Sequence, residues 1–369
     1  MLHVFSRLVR ALGAIVAALA VLAVSAADPP AGAAPHHRGS RFQNNYLEFE
    51  PKGLGALIEW RVAAAREGLP RPPEAATPRV AADLDFIRSN AGAGTAMIPA
   101  VTWIGHASTL VQAGGVSILT DPIFSERASP LSFLGPKRHV APGLAVAALP
   151  HIDAVLISHN HYDHLDEASV RALAAQAGGP PLFIVPLGIK RWLADIGISH
   201  AVELDWWQSA RVGAVEVVFT PAQHWSGRSV TDRMETLWGG YAVFAPGFQW
   251  FFAGDTAYSK DFADIHQRFA ARHGAGLGFD LVLLPIGAYE PRWFMKAQHV
   301  DPEEAVRIHR DLGAEHSIGI HWGTFELTDE SLDEPPRALA RAARAAGLAD
   351  DAFTVIAIGA TRRFATRAR

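Results

Sequence analysis

One segment constrains this chain more than any other: Val155-Leu156-Ile157-Ser158-His159-Asn160-His161-Tyr162-Asp163-His164-Leu165-Asp166. An apolar run of strand length stops, and His159, His161, Asp163 and His164 follow within a single turn. A continuous apolar run bounded by polar residues fits a strand buried on both faces. A turn at the end of such a strand can splay alternate side chains into one pocket. His159 and His161 then reach one metal ion, while Asp163 and His164 turn towards a second. A merely solvated polar turn would leave this spacing of ligand-type residues without a reason. The fold must therefore contain a covered sheet with one strand end open to a polar pocket.

Composition narrows the chemistry of that pocket. The chain has no cysteine, which removes disulfides, thiolate metal sites, lipid attachment through a thioether and cysteine nucleophiles together. Any ion must be held by nitrogen and oxygen, a donor set that suits zinc and also iron or manganese. A formal net charge of −4, spread without long runs, gives no footprint for nucleic acid and no polybasic membrane patch. With 369 residues, 49% of them hydrophobic, the chain can bury one large core or two small ones. The N-terminus has the order of a secretory signal: Arg7 and Arg10, an apolar run from Leu12 to Val24, then Ser25-Ala26-Ala27. Residues 1–27 are expected to be a cleaved signal and residues 28–41 a flexible leader. The protein is then expected in the periplasm or outside the cell, the alternative being an uncleaved N-terminal membrane anchor.

Residues 42–98 read as a helical or irregular wrap, and the texture changes after them. Short β-branched runs fall at Val101–Ile104, Thr109–Gln112, Val116–Thr120, Ala154–Ser158, Phe183–Val185, Val215–Thr220, Tyr241–Phe244 and Gln249–Ala253, and later at Leu281–Leu284, Ser317–Ile320 and Thr354–Ala357. Helical patterns occupy Glu167–Gln176, Lys190–Ile196, Asp261–Arg272, Pro302–Leu312 and Pro336–Ala346. Strands with interspersed helices predict an α/β (α+β) chain with helix-covered sheets, in one domain of residues 42–369 with its core at 99–365. No glycine-rich dinucleotide loop, P-loop or internal repeat is present.

Four ligands do not complete two metal sites. Three further strand ends carry a ligand-type residue: His224 in Thr220-Pro221-Ala222-Gln223-His224, Asp255 in Phe252-Ala253-Gly254-Asp255, and His321 in Ile318-Gly319-Ile320-His321. A lone strand-end His or Asp is commonly a capping or hydrogen-bonding group. Together these residues supply what two ions lack.

The order H-x-H-x-D-H, His, Asp, His resembles the metallo-β-lactamase superfamily. Further segments resemble its N-acyl-phosphatidylethanolamine-hydrolysing phospholipase D branch. They are Trp103-Ile104-Gly105-His106-Ala107-Ser108, Thr120-Asp121-Pro122-Ile123-Phe124-Ser125, Gly135-Pro136-Lys137-Arg138, Leu204-Asp205-Trp206-Trp207, Pro285 to Met295, Gln298 to Ala305, and His321-Trp322-Gly323-Thr324-Phe325. The likeness runs from about Val101 to Phe364. It implies a four-layer αββα sandwich with two zinc ions at one edge of the sheets. His159, His161 and His224 would hold one ion, Asp163, His164 and His321 the second, and Asp255 would bridge. It also implies a homodimer.

The reaction expected from the resemblance is phospholipase D-type cleavage of N-acyl-phosphatidylethanolamine, a phosphoric diester hydrolysis, by attack of a metal-bridging hydroxide on phosphorus. Asp163 and Asp255 are then catalytic as well as metal-binding. His299, just before a helix, reads as a catalytic or phosphate-contacting group, or one that supports a ligand, or else as a plain neighbour of the helix N-terminus. Arg292 reads as a phosphate partner through its guanidinium fork or else an ion pair with an acid such as Glu290. Tyr162 lines the pocket. Trp225, Trp238, Trp293 and Phe294 serve either core packing or acyl-chain and membrane contact. His106 and Asp121 hold turns or support ligands. His36, His37, His200, His266 and His273 read as ordinary surface residues. Two other readings compete: a hydrolase of the same fold acting on another phosphodiester, a lactone or an ester, and a non-catalytic metal-binding envelope protein. The segment Arg268–Phe279 is expected to extend a surface loop.

Overall fold

The structure, a computed structural model, describes residues 34–229, 231–274 and 277–367. The expected signal and most of the leader lie outside the described residues. The leader's end does not: His37–Arg38 (β1) and Arg41–Phe42 (β2) form a small hairpin, so residues 36–41 are ordered strap rather than free linker. The wrap that follows holds helices α1 (Leu54–Glu67) and α2 (Leu84–Ala91).

Two seven-stranded sheets make the body. The first is built in chain order from β3 (Ala100–Gly105), β4 (Ser108–Ala113), β5 (Val116–Thr120), β6 (Ala154–Leu156), β7 (Leu182–Pro186) and β8 (Ala201–Leu204). Helix α3 (Glu167–Ala174) leads from β6 to β7, and α4 (Ile189–Asp195) from β7 to β8. Strands β3 to β5 pair antiparallel and β5 to β8 parallel.

The second sheet repeats that plan. Strands β9 (Ser209–Val212), β10 (Val215–Thr220), β11 (Gly240–Ala245) and β12 (Phe248–Phe252) pair antiparallel. After helix α5 (Asp261–His273), strands β13 (Leu281–Pro285), β14 (His316–Ile320) and β15 (Phe353–Thr354) add in parallel. The short helix α6 (Arg292–Met295), α7 (Pro302–Asp311) and α8 (Glu334–Ala345) lie among these parallel connections. The last strand, β16 (Thr361–Arg363), crosses back to the free edge of β3 in the first sheet. The helix expected at Asp261–Arg272 is α5, so the first part of the segment expected to extend a loop, Arg268–His273, is helical. The Thr354–Ala357 run contributes only its first residue to a strand.

Side-chain alternation explains the layers. Ala154 and Leu156 of β6 and Ile184 of β7 face the second sheet, in one core with Phe219, Tyr241, Phe252 and Leu283. Their neighbours Val155, Phe183 and Val185 face outward onto Val170, Leu173, Ile189 and Leu193 of α3 and α4. Both faces of these strands are buried, so alternation disappears from the sequence and an apolar run remains. On the far side, Phe262, Ile265 and Phe269 of α5 and Ala305 and Ile308 of α7 join the core of the second sheet. The result is an αββα sandwich. Tyr241 on β11 ties the two sheets together, since its buried hydroxyl donates to Ile157 O (2.7 Å) or Ile184 O (3.0 Å) of the first sheet. That tie lies just behind the His159 turn.

Candidate metal centre

The turns at the carboxyl ends of β6, β10, β12 and β14 converge, as expected for ligand sites in sheets with parallel strands. After β6, the backbone N–H groups of His164 and Leu165 fold back onto His161 O at 3.1 and 2.9 Å, which brings His164 round beside His159. Asp166 then caps α3 by accepting from Ser169 N–H. After β12, Gly254 has φ +62°, and a Cβ there would lie 2.5 Å from Ser158 Cβ. Only glycine lets the chain turn there against the first sheet and present Asp255. The Gln223–Ala257 bridge pairs the His224 and Asp255 turns directly.

Two groups of ligand atoms result. His159 Nε2 lies 2.8 Å from His161 Nδ1, and His224 Nε2 lies 3.3 Å from the same atom. His164 Nε2 and His321 Nε2 are 3.2 Å apart, and Asp163 Oδ2 is 3.3 and 3.4 Å from them. Asp255 stands between the groups, with Oδ2 3.0 Å from His164 Nε2 and 4.0 Å from both His159 Nε2 and His224 Nε2. Ligands about 2.0–2.1 Å from a tetrahedral ion are about 3.3–3.4 Å apart, so these spacings fit two cations. Asp255 Oδ1 supports the fit. It is buried 3.2 Å from His321 Nε2 yet makes no hydrogen bond, as a carboxylate aimed past the ring would. Nitrogen and carboxylate donors without sulfur suit zinc, iron or manganese alike.

A second layer of contacts orients the rings. Asp121 Oδ2 lies 2.6 Å from His164 Nδ1, and the Asp121 carboxylate also accepts from Ser158 N–H (2.7 Å) and Ser158 Oγ–H (2.5 Å). His224 Nδ1 donates to Gln298 O at 2.7 Å. His106 Nε2 is 2.9 Å from Asp163 Oδ2, and His321 N–H donates to His106 O. His106, Asp121 and His321 all have positive φ, at 55°, 30° and 61°. Non-glycine residues held in this region carry strain that the surroundings must overcome, and three of the six such residues among those described gather at this one centre. The expected supporting roles of His106 and Asp121 agree with these contacts.

Charge divides the centre in two. Burial first, then neighbouring histidines, push His159 well below the usual histidine range and His161 down to about 3. Burial likewise takes His224 to about 4 against the pull of Asp255. These imidazoles are neutral ligands at neutral pH. Burial opposes protonation of His164 and His321 too, but the carboxylates of Asp255 and Asp163 win, raising His164 well above its usual value and His321 to about 9. Asp163 and Asp255 are held well below the ordinary carboxylate range despite burial, His164 being the largest opposing influence.

The remaining expected site residues fare unequally. His299 sits at the rim, 13% exposed, with Nδ1 3.9 Å from Asp255 Oδ2 and no hydrogen-bond partner. Burial keeps it neutral. Tyr162 lines a cavity of about 620 Å³ with Trp192, Arg127 and Arg171. The Arg228 guanidinium covers its ring at 3.9 Å. Arg292 is not free for phosphate: it pairs with Glu304 at 2.6 Å and Asp301 at 3.5 Å and donates to His299 O and Tyr289 O. It braces the His299 segment instead, with Glu304 rather than Glu290 as its acid. Trp238 is core, Trp225 donates to Gln298 Oε1, Phe294 packs on Trp60, and Trp293 is 51% exposed. His36 and His273 are buried, contrary to the surface reading. Asn44 was missed. Its Nδ2 donates to His224 O (2.9 Å) and its Oδ1 accepts from His224 N–H (3.0 Å). Arg228 was missed too, though it braces the ligand turn by donating to Asn160 O and Leu165 O. Neither carries a local sequence signal.

Residues 117–322 match the model of the beta-lactamase superfamily domain. The chain belongs to the metallo-β-lactamase superfamily. Within that superfamily it is 42% identical over 292 residues to an uncharacterized protein of Mycobacterium tuberculosis, covering 78% of this chain and 73% of the relative. It is 41% identical over 246 residues to N-acyl-phosphatidylethanolamine-hydrolyzing phospholipase D 1 of Caenorhabditis elegans, covering 63% of this chain and 67% of the relative. A possible metal-dependent hydrolase from Veillonella parvula shares the fold, with a TM-score of 0.58 at 16% identity over 72% of this chain and all (100%) of that one. The expected αββα sandwich, membership of the superfamily and a metal-dependent hydrolase are thereby established, and the non-catalytic reading falls away.

Proposed function

We propose that this metallohydrolase cleaves phosphodiesters, with N-acyl-phosphatidylethanolamine as its lipid substrate class and N-acylethanolamine and phosphatidic acid as products. The observation that carries the reading is the pair of ligand groups joined by Asp255, in a chain 41% identical to a phospholipase D named for that lipid. His159, His161 and His224 would hold one ion and Asp163, His164 and His321 another, with Asp255 placed between the two groups. When bound, two zinc ions supply Lewis acidity to phosphate oxygens and bring the pKa of water towards neutrality.

The chain's own groups do the rest. Asp163, steadied by His106, orients the attacking water by accepting a hydrogen bond from it. His299 is neutral, has an unpaired Nδ1 and stands at the rim, so it hydrogen-bonds the phosphate or the departing oxygen. Arg292 fixes the backbone that carries it. Tyr162, between two ligands in the chain, lines a cavity to which none of the metal ligands contributes. The exposed Trp293 suits contact with a lipid surface. We further propose that the protein is exported, acting in the cell envelope where phospholipid is available, and that it forms a homodimer.

The test is direct. Purified, zinc-loaded protein is incubated with N-acyl-phosphatidylethanolamine vesicles and with a soluble bis-aryl phosphodiester, and products are measured by mass spectrometry and absorbance. Hydrolysis of the soluble compound alone rejects the lipid assignment. Turnover retained by Asp163→Ala or Asp255→Ala at full metal content rejects the catalytic assignment.

A further inference from the structure

A second histidine–carboxylate cluster lies outside the metal centre and shares no residue with it. His36 Nε2 and His37 Nε2 approach the two oxygens of Asp205 at 2.6 and 2.8 Å. His36 is 6% exposed, Asp205 18% and His37 30%. We propose that His36, His37 and Asp205 form a further cation site, taking a zinc-class divalent ion that pins the N-terminal strap to the body of the protein.

Three features support it. First, the donor set is two imidazoles and one carboxylate, which in zinc sites leaves room for water as the fourth ligand, and the exposed side of His37 provides that room. Second, the ligands are preorganised. The His36 ring stacks on Trp206 at 4.2 Å, and the His37 ring meets Phe42 edge-on at 5.1 Å. Trp206 N–H donates to Asp205 Oδ1, and Asp205 N–H donates to Gln208 Oε1. Fixing a carboxylate and its ring partners in this way is what supports ligands in metal sites. Third, the two ring nitrogens converge on the two oxygens of one carboxylate, and opening these contacts from 2.6 and 2.8 Å to the ligand spacing of about 3.3–3.4 Å admits a cation in place of the protons.

The site also has a structural task. The strap continues from His36 through Phe42, whose N–H donates to Met234 O, to Asn44, which grips both backbone groups of His224, and Asn45, which donates to Asp261. An ion at His36 and His37 would anchor the start of the described segment that holds His224.

The proposal makes a stoichiometric statement independent of the catalytic reading. Full-length protein is stripped with chelator, titrated with Zn²⁺ alone, freed of excess ion by gel filtration and assayed by elemental analysis. Asp205→Asn keeps one acceptor oxygen, the one that serves His36 and Trp206 N–H, but loses the anionic ligand. It is expected to bind about one equivalent less than the parent. The same difference is expected in the His159→Ala/His321→Ala background, where the main centre is broken, and there Zn²⁺ should still raise the thermal midpoint. His37→Gln, altered on the exposed side, should repeat the result if Asp205→Asn folds poorly. Equal zinc content with and without the Asp205 carboxylate, or no thermal shift in the broken-centre background, overturns the proposal and leaves the cluster a hydrogen-bonded clamp.

Discussion

Asp121→Asn isolates the contact that sets the chemistry of His164. The substitution preserves shape but exchanges a carboxylate oxygen for an amide N–H₂. Asp121 Oδ1 accepts from Ser158 N–H, a backbone donor with no alternative, so the amide oxygen must take that place. The amide nitrogen then faces Ser158 Oγ and His164 Nδ1, where Oδ2 stood at 2.5 and 2.6 Å. Ser158 can turn its hydroxyl and accept. His164 can accept only as the tautomer with its proton on Nε2, the atom that points at Asp255 and His321. The variant therefore blocks a ligand nitrogen without touching the ligand. Loss of such supporting contacts typically weakens metal binding about 10–100-fold, or about 1.4–2.7 kcal/mol. Competition with a calibrated chelator should show one zinc class weakened by that factor while the His159–His161–His224 class holds. Asp121→Ala is expected to be far worse, because it leaves three buried donors unpaired at about 1–3 kcal/mol each, a large part of a typical 5–15 kcal/mol stability. Unchanged affinity in a folded Asp121→Asn protein would refute the tautomer argument.

Other expectations follow from the same contacts. Asn44→Ala should lower stability by roughly 2–6 kcal/mol, read as a drop in thermal midpoint, because both backbone groups of His224 lose their partner. The metal-free protein should be most stable near neutral pH. His159, His161 and His224 have depressed pKa values, so their stabilising contribution is lost as pH falls below about 6.5. That of His164 and His321 is lost as pH climbs, for His321 through about 9. Thermal midpoints across that range would check both limbs, and a monotonic profile would contradict the charge division. Trp293→Ser should leave stability and turnover of a soluble phosphodiester nearly unchanged while reducing turnover on vesicles. Equal loss on both substrates would remove Trp293 from lipid contact. Arg292→Lys should impair turnover through His299, since a single ammonium cannot replace contacts to Glu304, Asp301 and two carbonyls.

Much of the centre was legible in the sequence because strand ends announce themselves. The runs of β6, β10, β12 and β14 each break into a turn that carries a ligand within four residues, and that break in pattern survives whatever the tertiary context. The strand assignments held best where both faces are buried, as at Val215–Thr220 and Val116–Thr120. They failed for β8 and β9, edge elements with mixed burial, and for β16, whose Thr-Arg-Arg sequence is a strand only because β3 offers it an edge. The short α6 after Pro291 and the helices of the wrap were equally invisible as discrete elements. Arg292 shows the limit for side chains. A guanidinium beside an active-site segment suits phosphate, and only the fold reveals that Glu304 has already claimed it. Asn44 shows the converse. Nothing around it marks a functional residue, and its partner lies 180 positions away.

The repeated plan of the two sheets has a consequence for how the chain can be divided. Residues up to β8 supply His159, His161, Asp163 and His164, while those from β9 onward supply His224, Asp255 and His321. Neither ligand group is complete within one half. The halves stand to each other as two subunits stand across a shared active site, with the β8–β9 connection as their tether. Cut there, each fragment would keep most of one sheet and none of the chemistry, and a divalent ion would become the switch that reports, and rewards, their reunion.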